Sequence, residues 1–218
     1  MNLFWQIIPS LEITEILCSK LDGVVLDMEH GSFTIQDIVN SIRVISLKKK
    51  LSIIRLKSNK RIEQICCDNG CSGYMYSTTE RNERNNNGIA LTRQNNYGSG
   101  DLESAHKKMI YIAQIESLRG FELIKDFTGA FDYYMLTPYD FSKAIGLPGQ
   151  FEHPRYLEYK CIFENNVPVE KRACHIVKNI DKMAEKYKDY GMKCFSLDSL
   201  MVYESVERIC DVAQSCIS

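Results

Sequence analysis

The chain has 218 residues, 44% of them hydrophobic and 25% charged, and its 27 basic against 28 acidic side chains leave a formal net charge of −1. That is an ordinary globular composition with enough apolar side chain for a sizeable core, and it excludes the basic footprint of a nucleic-acid binder. No apolar run approaches the roughly 18 residues needed to cross a bilayer, and no basic residue precedes Lys20, so neither an anchor nor a signal peptide is expected and a cytoplasmic protein is. Nine cysteines, an odd number without the spacing of a secreted scaffold, read as reduced thiols. Cys66, Cys67 and Cys71 lack a second pair at zinc spacing and read as packing residues of a helix and its turn.

Eight short β-rich runs recur along the chain: Leu3 to Ile8, Gly23 to Asp27, Leu51 to Arg55, Gly73 to Tyr76, Met109 to Ile115, Phe131 to Leu136, Ala173 to Val177 and Lys193 to Leu197. Between and after them, apolar residues at spacings of three and four predict helices over Leu11 to Cys18, Thr34 to Ile45, Asn59 to Cys67, Leu118 to Phe127, Arg155 to Asn165, Ile180 to Tyr190 and Val202 to Ala213. Ser10, Thr34 and Ser58 are the expected N-caps, and Gly70 and Gly191 stand where helices should stop.

Strands alternating with helices imply parallel pairing through right-handed crossovers, and eight such units can close into a (β/α)₈ TIM barrel. An open doubly wound sheet is the weaker alternative, because Pro9, Ser10, Leu11 and Glu12 follow the first strand where a glycine-rich phosphate turn would stand. Residues 1–218 are expected to form a single barrel domain. One stretch breaks the alternation: from Glu80 to Gly100 the chain is Asn-rich and reads as a long loop.

Polar residues cluster just after the apolar strands. Asp27, Glu29 and His30 arrive within four residues of a strand end, Arg55 closes the third strand, Gln114 and Glu116 share one face of the fifth, and Asp140 follows the turn Thr137-Pro138-Tyr139. In a barrel all four clusters meet on the C-terminal rim, where barrel active sites sit. A charge at any one strand end is ordinarily solvated or caps the next helix; the coincidence of four carries the functional reading. Glu116 and Asp140 are hard oxygen donors without a matching His or Cys set, which favours Mg²⁺ or Mn²⁺ over zinc. Arg55 can hold a carboxylate or an oxyanion, and His30, three residues after Asp27, is a candidate general base tuned by that acid.

Leu26-Asp27-Met28-Glu29-His30-Gly31, Ile54-Arg55, Ala113-Gln114-Ile115-Glu116 and Thr137-Pro138-Tyr139-Asp140-Phe141-Ser142, followed by Leu147-Pro148-Gly149 and His153-Pro154, resemble the HpcH/HpaI aldolase/citrate lyase family. The likeness runs in order over most of the chain. It implies a phosphoenolpyruvate/pyruvate-binding type of TIM barrel, assembled as a homo-oligomer, trimer or hexamer. The implied reaction is metal-dependent cleavage of a 4-hydroxy-2-oxo acid to pyruvate and an aldehyde, an aldehyde-lyase reaction needing no organic cofactor and no Schiff-base lysine. By the same resemblance Glu116 and Asp140 bind Mg²⁺ or Mn²⁺, with Co²⁺ an alternative. Arg55 steadies the enolate, and Asp27 with His30 moves protons at the hydroxyl. Glu29, Gln114, Thr137, Pro138 and Tyr139 surround the metal and substrate, and backbone N–H groups near Tyr139 and Asp140 receive the substrate carboxylate. The chain departs from the family at Thr137, where glycine is usual, and in Asn85-Asn86-Asn87-Gly88, where an Arg-Gly pair commonly stands.

Two other readings compete. One is a hydroxyacyl-CoA lyase of the citrate lyase β-chain type, which requires a basic grip on phosphates that the sequence does not display. The other is a non-catalytic barrel binding protein, against which stands the joint presence of Asp27, His30, Arg55, Glu116 and Asp140. Lys48-Lys49-Lys50 precedes a strand, faces the opposite rim and reads as a solvated turn. Trp5 is expected to fill the barrel, His106 and His175 to pack or lie on the surface, and Tyr139 to line the pocket ahead of His153.

Overall fold

The computed structural model describes residues 1–80, 109–124 and 129–215. Eight parallel strands, β1 (Asn2–Gln6), β2 (Gly23–Asp27), β3 (Leu51–Leu56), β4 (Gly73–Tyr76), β5 (Ile110–Ile115), β6 (Tyr133–Leu136), β7 (Arg172–Ile176) and β8 (Met192–Phe195), pair in chain order, and β8 returns to β1. The sheet is closed, so the (β/α)₈ barrel holds and the open sheet does not. Around it lie α1 (Leu11–Cys18), α2 (Ile35–Leu47), α3 (Lys60–Asp68), α4 (Leu118–Glu122), α5 (Pro138–Ala144), α6 (Pro154–Asn166), α7 (Ile180–Lys186) and α8 (Asp198–Ser215).

Strand residues alternate between faces, and the register stacks the inward ones in layers. Leu3, Ile53, Ile112 and Ala173 come from the odd strands, then Val25, Met75, Met135 and Cys194 from the even ones. The next inward position on the odd strands holds Trp5, Arg55, Gln114 and His175, where apolar filling gives way to polar chemistry. Outward residues such as Val24, Leu26, Ile54, Tyr76 and Tyr134 pack beneath the helices.

Local chemistry fixes the crossovers. Ser10 Oγ accepts from Ile13 N at 3.2 Å to start α1, and Thr34 with Asp37 forms a reciprocal capping box on α2. Asn59 rather than Ser58 caps α3: its side chain accepts from Ile62 N while the buried Glu63 reaches back to Asn59 N at 2.8 Å. Gly70 follows α3 at φ +85, as expected of a residue that ends a helix. Gly191 does not end α7, which stops at Lys186; a Cβ at Gly191 would meet the Glu170 carbonyl, so glycine is required there by close approach ahead of β8.

The seven amino acids Pro138–Ala144 form α5, which periodicity over so short a stretch does not reveal. Of the helix expected to reach Phe127, the structure gives Leu118–Glu122, and residues 125–127 lie outside the described residues. The Asn-rich stretch after Glu80, and His106, also lie outside them. The thiols of Cys66, Cys67 and Cys71 are free and buried, and burial pushes Cys66 and Cys67 up to about 12, as packing residues require. Helix α8 begins four residues earlier than expected, where Asp198 accepts from Ile7 N and Ile8 N at 3.0 and 2.9 Å. From Met201 to Gln214 every residue of α8 is exposed, including Val206 and Ile209. No helix among the described residues is long and apolar enough to cross a membrane.

Candidate active site

Arg55 organises the C-terminal mouth of the barrel. It is 5% exposed, and its three nitrogens take three partners: Nε donates to Gln114 Oε1 at 2.7 Å, Nη1 to Asp27 Oδ2 at 2.9 Å, and Nη2 lies 2.7 Å from Glu29 Oε2. The guanidinium carbon stands 5.3 Å from the centroid of the Trp5 ring, a cation–π distance. Nη2 also lies 3.5 Å from Glu116 Oε1. One buried cation therefore gathers three carboxylates, two from the end of β2 and one from the end of β5, as a planar donor fork can.

Asp27 is saturated. Oδ1 accepts from the backbone N–H of Glu29 at 2.9 Å and of His30 at 3.0 Å; Oδ2 accepts from Arg55 and from Trp5 Nε1 at 3.0 Å. Gly31 closes this turn, since a Cβ there would strike the Asp27 carbonyl. The expected pairing of Asp27 with the His30 imidazole is not formed, because the carboxylate is consumed by the backbone of its own turn. The imidazole is exposed and lies 3.9 Å from Glu29 Oε2.

Glu116 is held by one oxygen only. Oε2 accepts from Thr78 N at 3.0 Å and Thr78 Oγ1 at 2.9 Å, whereas Oε1 is buried without a hydrogen-bond partner. Burial pushes its carboxyl above the usual carboxylate range, against the pull of Thr78 and Arg55, and the negative charges of Asp140 and Glu29 push it further. Asp140, in the first turn of α5, is exposed. A buried, raised carboxyl with an orphan oxygen beside a second carboxylate suits a hard divalent cation, and Glu116 with Asp140 fits that group. Among the described residues no group of three or more His, Cys, Asp or Glu is assembled around an ion, so an all-protein cage is not what the donors offer.

A cavity of about 220 Å³ opens here, lined by Trp5, Asp27, His30, Arg55, Gln114, Thr137, Asp140 and His175 among others. Glu29 and Glu116 are not part of its wall and meet it through Arg55. Thr137 leaves the N-terminus of α5 without a side-chain cap, since its hydroxyl turns to the Ile115 carbonyl at 3.3 Å. Two expectations fail: Tyr139 is 62% exposed and does not line the cavity, and Pro138, the first residue of α5, borders a neighbouring one. His153 is spent elsewhere, its Nδ1 capping α6 at Arg155 N.

Two residues join the site unannounced by local sequence. Trp5 is 3% exposed, bonds Asp27 and stacks on His175 with ring centroids 4.3 Å apart, planes 15° apart. His175 Nε2 lies 3.0 Å from the Ser196 carbonyl, which can only accept, so that nitrogen carries the hydrogen. Burial pushes its pKa down to about 4, leaving a neutral ring. Both sit among apolar neighbours, and only their shared layer with Arg55 and Gln114 reveals them.

No protein-family model and no curated protein sequence matches the chain. Solved structures do. An HpcH/HpaI aldolase from Desulfitobacterium hafniense DCB-2 superposes with a TM-score of 0.79 at 18% identity, over 98% of this chain and 92% of that one. The fold is that of the HpcH/HpaI aldolases. A second such structure, an HpcH/HpaI aldolase/citrate lyase family protein from Burkholderia cenocepacia J2315, gives a TM-score of 0.81 at 16% identity, over 98% and 94% of the two chains. The citrate synthase SbnG gives 0.80 at 18% identity, over 98% and 93%. The HpcH/HpaI-type barrel is thus reached with fewer than one residue in five shared.

Proposed function

We propose that this HpcH/HpaI-type barrel is a divalent-metal-dependent aldolase that cleaves or forms a 4-hydroxy-2-oxo acid, with pyruvate and an aldehyde as its small-molecule partners. The observation that carries the reading is the orphan Oε1 of Glu116, buried 3.5 Å from an Arg55 guanidinium that Asp27, Glu29 and Gln114 hold in place. Glu116 and Asp140 would hold Mg²⁺ or Mn²⁺, with Co²⁺ as an alternative. When bound, that ion supplies Lewis-acid polarisation of the keto oxygen as the C3–C4 bond breaks.

The chain's own residues do the rest. Arg55, fixed by its partners before substrate arrives, faces the negative charge that develops on the oxo acid, a contribution of about 3 kcal/mol for a single preorganised donor. The His30 imidazole, free of Asp27 and open at the mouth, takes the C4 hydroxyl proton in cleavage and passes it to C3 of the enolate to give pyruvate, and runs both transfers in reverse in condensation. Gln114 and Glu29 fix the orientation of the planar guanidinium against the cavity, and Trp5 with His175 forms a flat wall that limits its width. The cavity suits a small oxo acid with a short aldehyde, and no lysine is required for a Schiff base.

A homo-oligomer is part of the same proposal. Helix α8 exposes Val202, Val206, Ile209 and Val212 at 50% to 67%, an apolar stripe that a second copy of the chain would cover. The experiment that tests the catalytic reading offers the protein pyruvate with a panel of aldehydes and each of Mg²⁺, Mn²⁺ and Co²⁺. Aldol product that forms only with metal is expected, and no product with any aldehyde would contradict it.

A further inference from the structure

Outside the mouth, a second cavity of about 380 Å³ lies between α6 and α7 and shares Pro138, Tyr156, Lys160, His175 and Tyr187 with a smaller one of about 50 Å³. Its wall is cationic. Lys178, just after β7, and Lys186, at the end of α7, line it without an acidic partner among the described residues, and Lys186 Nζ lies 5.5 Å from the Tyr187 ring. Lys160, from α6, is only 26% exposed and has Glu164 at a distant 3.7 Å. Against these three cations stand two acids. Glu152 borders the larger cavity, and Glu164 borders the smaller, where it also accepts from Tyr190 at 3.2 Å.

The hydroxyls facing this space are idle. Tyr156 is 4% exposed, and its hydroxyl has no hydrogen-bond partner among the described residues; the same holds for Tyr187. Both hydroxyls line the cavity and are not engaged by acceptors among the described residues, so each can donate to a ligand that accepts. Burial pushes Tyr156 up to about 12 and raises Tyr187 as well, so both remain donors at neutral pH. Met183 and Leu157 complete the wall with apolar surface.

We propose that this cavity binds a small organic anion, a phosphate or carboxylate on an apolar or aromatic body, with its charge on Lys160, Lys178 and Lys186 and its oxygens on the Tyr156 and Tyr187 hydroxyls. The site is separate from the catalytic cavity but shares a wall with it: His175 borders both. Lys160, Lys178, Lys186, Tyr156 and Tyr187 serve no step of the proposed aldol chemistry, so the inference does not depend on it.

The test is calorimetric titration of the full chain, without metal or oxo acid, with phenyl phosphate, benzoate and the neutral benzyl alcohol. The two anions should bind saturably at one site and the alcohol should not. Tighter phenyl phosphate assigns a phosphorylated ligand, and tighter benzoate a carboxylated one. Lys178→Met with Lys186→Met should weaken the preferred anion about tenfold or more, as loss of charge-assisted contacts does. Tyr156→Phe, which keeps the ring, should weaken it several-fold by the same argument, at about 1 kcal/mol for one hydrogen bond. Lys182→Met, on α7 but off the cavity wall, should leave binding unchanged. Absence of saturable anion binding, equal weakening by the Lys182 variant, or indifference to both the double variant and Tyr156→Phe would overturn the proposal.

Discussion

Trp5 Nε1 and Arg55 Nη1 converge on the same oxygen of Asp27, at 3.0 and 2.9 Å, so the first strand of the barrel helps to aim the arginine of the third. The indole is thus a positioning residue as well as filling. Trp5→Phe keeps most of the apolar volume and deletes one buried donor, which should cost about 1–2 kcal/mol of stability. Denaturant unfolding measures it, and a change below about 0.5 kcal/mol, the scale of a neutral surface substitution, would show that the bond holds nothing in place.

His30 and Asp27 play separate parts because the carboxylate grips backbone rather than imidazole. His30→Ala removes an exposed side chain, so stability should stay within about 0.5 kcal/mol while turnover falls by about 10²-fold or more, the usual loss for a general base. Paired kinetic and unfolding measurements on one preparation check both halves. Near-normal turnover would remove His30 from the mechanism.

His175 makes stability pH-dependent in a defined window. Its ring is neutral in the fold, with a pKa near 4 against an ordinary 6.5. The unfolded chain takes up a proton that the folded chain refuses, so this contribution is full above about 6.5, declines as pH falls toward 4 and is constant below that. The loss should reach at most about 3 kcal/mol. His175→Gln removes it, so the stability difference between wild type and variant should shrink as pH falls from 7 to 4.5. A difference independent of pH would contradict the buried neutral ring.

Helix α8 supplies a prediction about assembly. Ile209→Glu and Val206→Glu place charges on the exposed apolar stripe and should dissociate the oligomer without unfolding the barrel, as sedimentation velocity with circular dichroism would show. A wild-type protein that sediments as a monomer would refute the oligomer.

The barrel is legible because parallel strands buried on both faces read as short apolar runs, and the runs Gly23–Asp27 and Gly73–Tyr76 coincide with β2 and β4 to the residue. The polar rim residues Asp27, Arg55, Gln114 and Glu116 are legible for the converse reason, because they interrupt those runs. Trp5 and His175 are hidden, because they stack on one another from opposite ends of the chain and only the β1–β8 closure brings them together. The Asp27–His30 pair failed because a three-residue spacing in a tight turn offers backbone N–H groups to a carboxylate before it offers a side chain. Tyr139 failed because α5, too short to show a period, turns it outward.

The central claim is that Glu116 and Asp140 would hold a divalent cation, which would supply the polarisation a bound oxo acid needs to exchange its methyl protons. Exchange of the methyl protons of pyruvate in deuterated water, followed by NMR with and without Mn²⁺ or Mg²⁺ and with no aldehyde present, tests it most directly. Exchange should require the metal and vanish in Glu116→Gln, whose amide keeps the shape of the carboxyl but cannot hold the ion by charge. Exchange that proceeds equally without metal, or survives unchanged in that variant, would contradict the account.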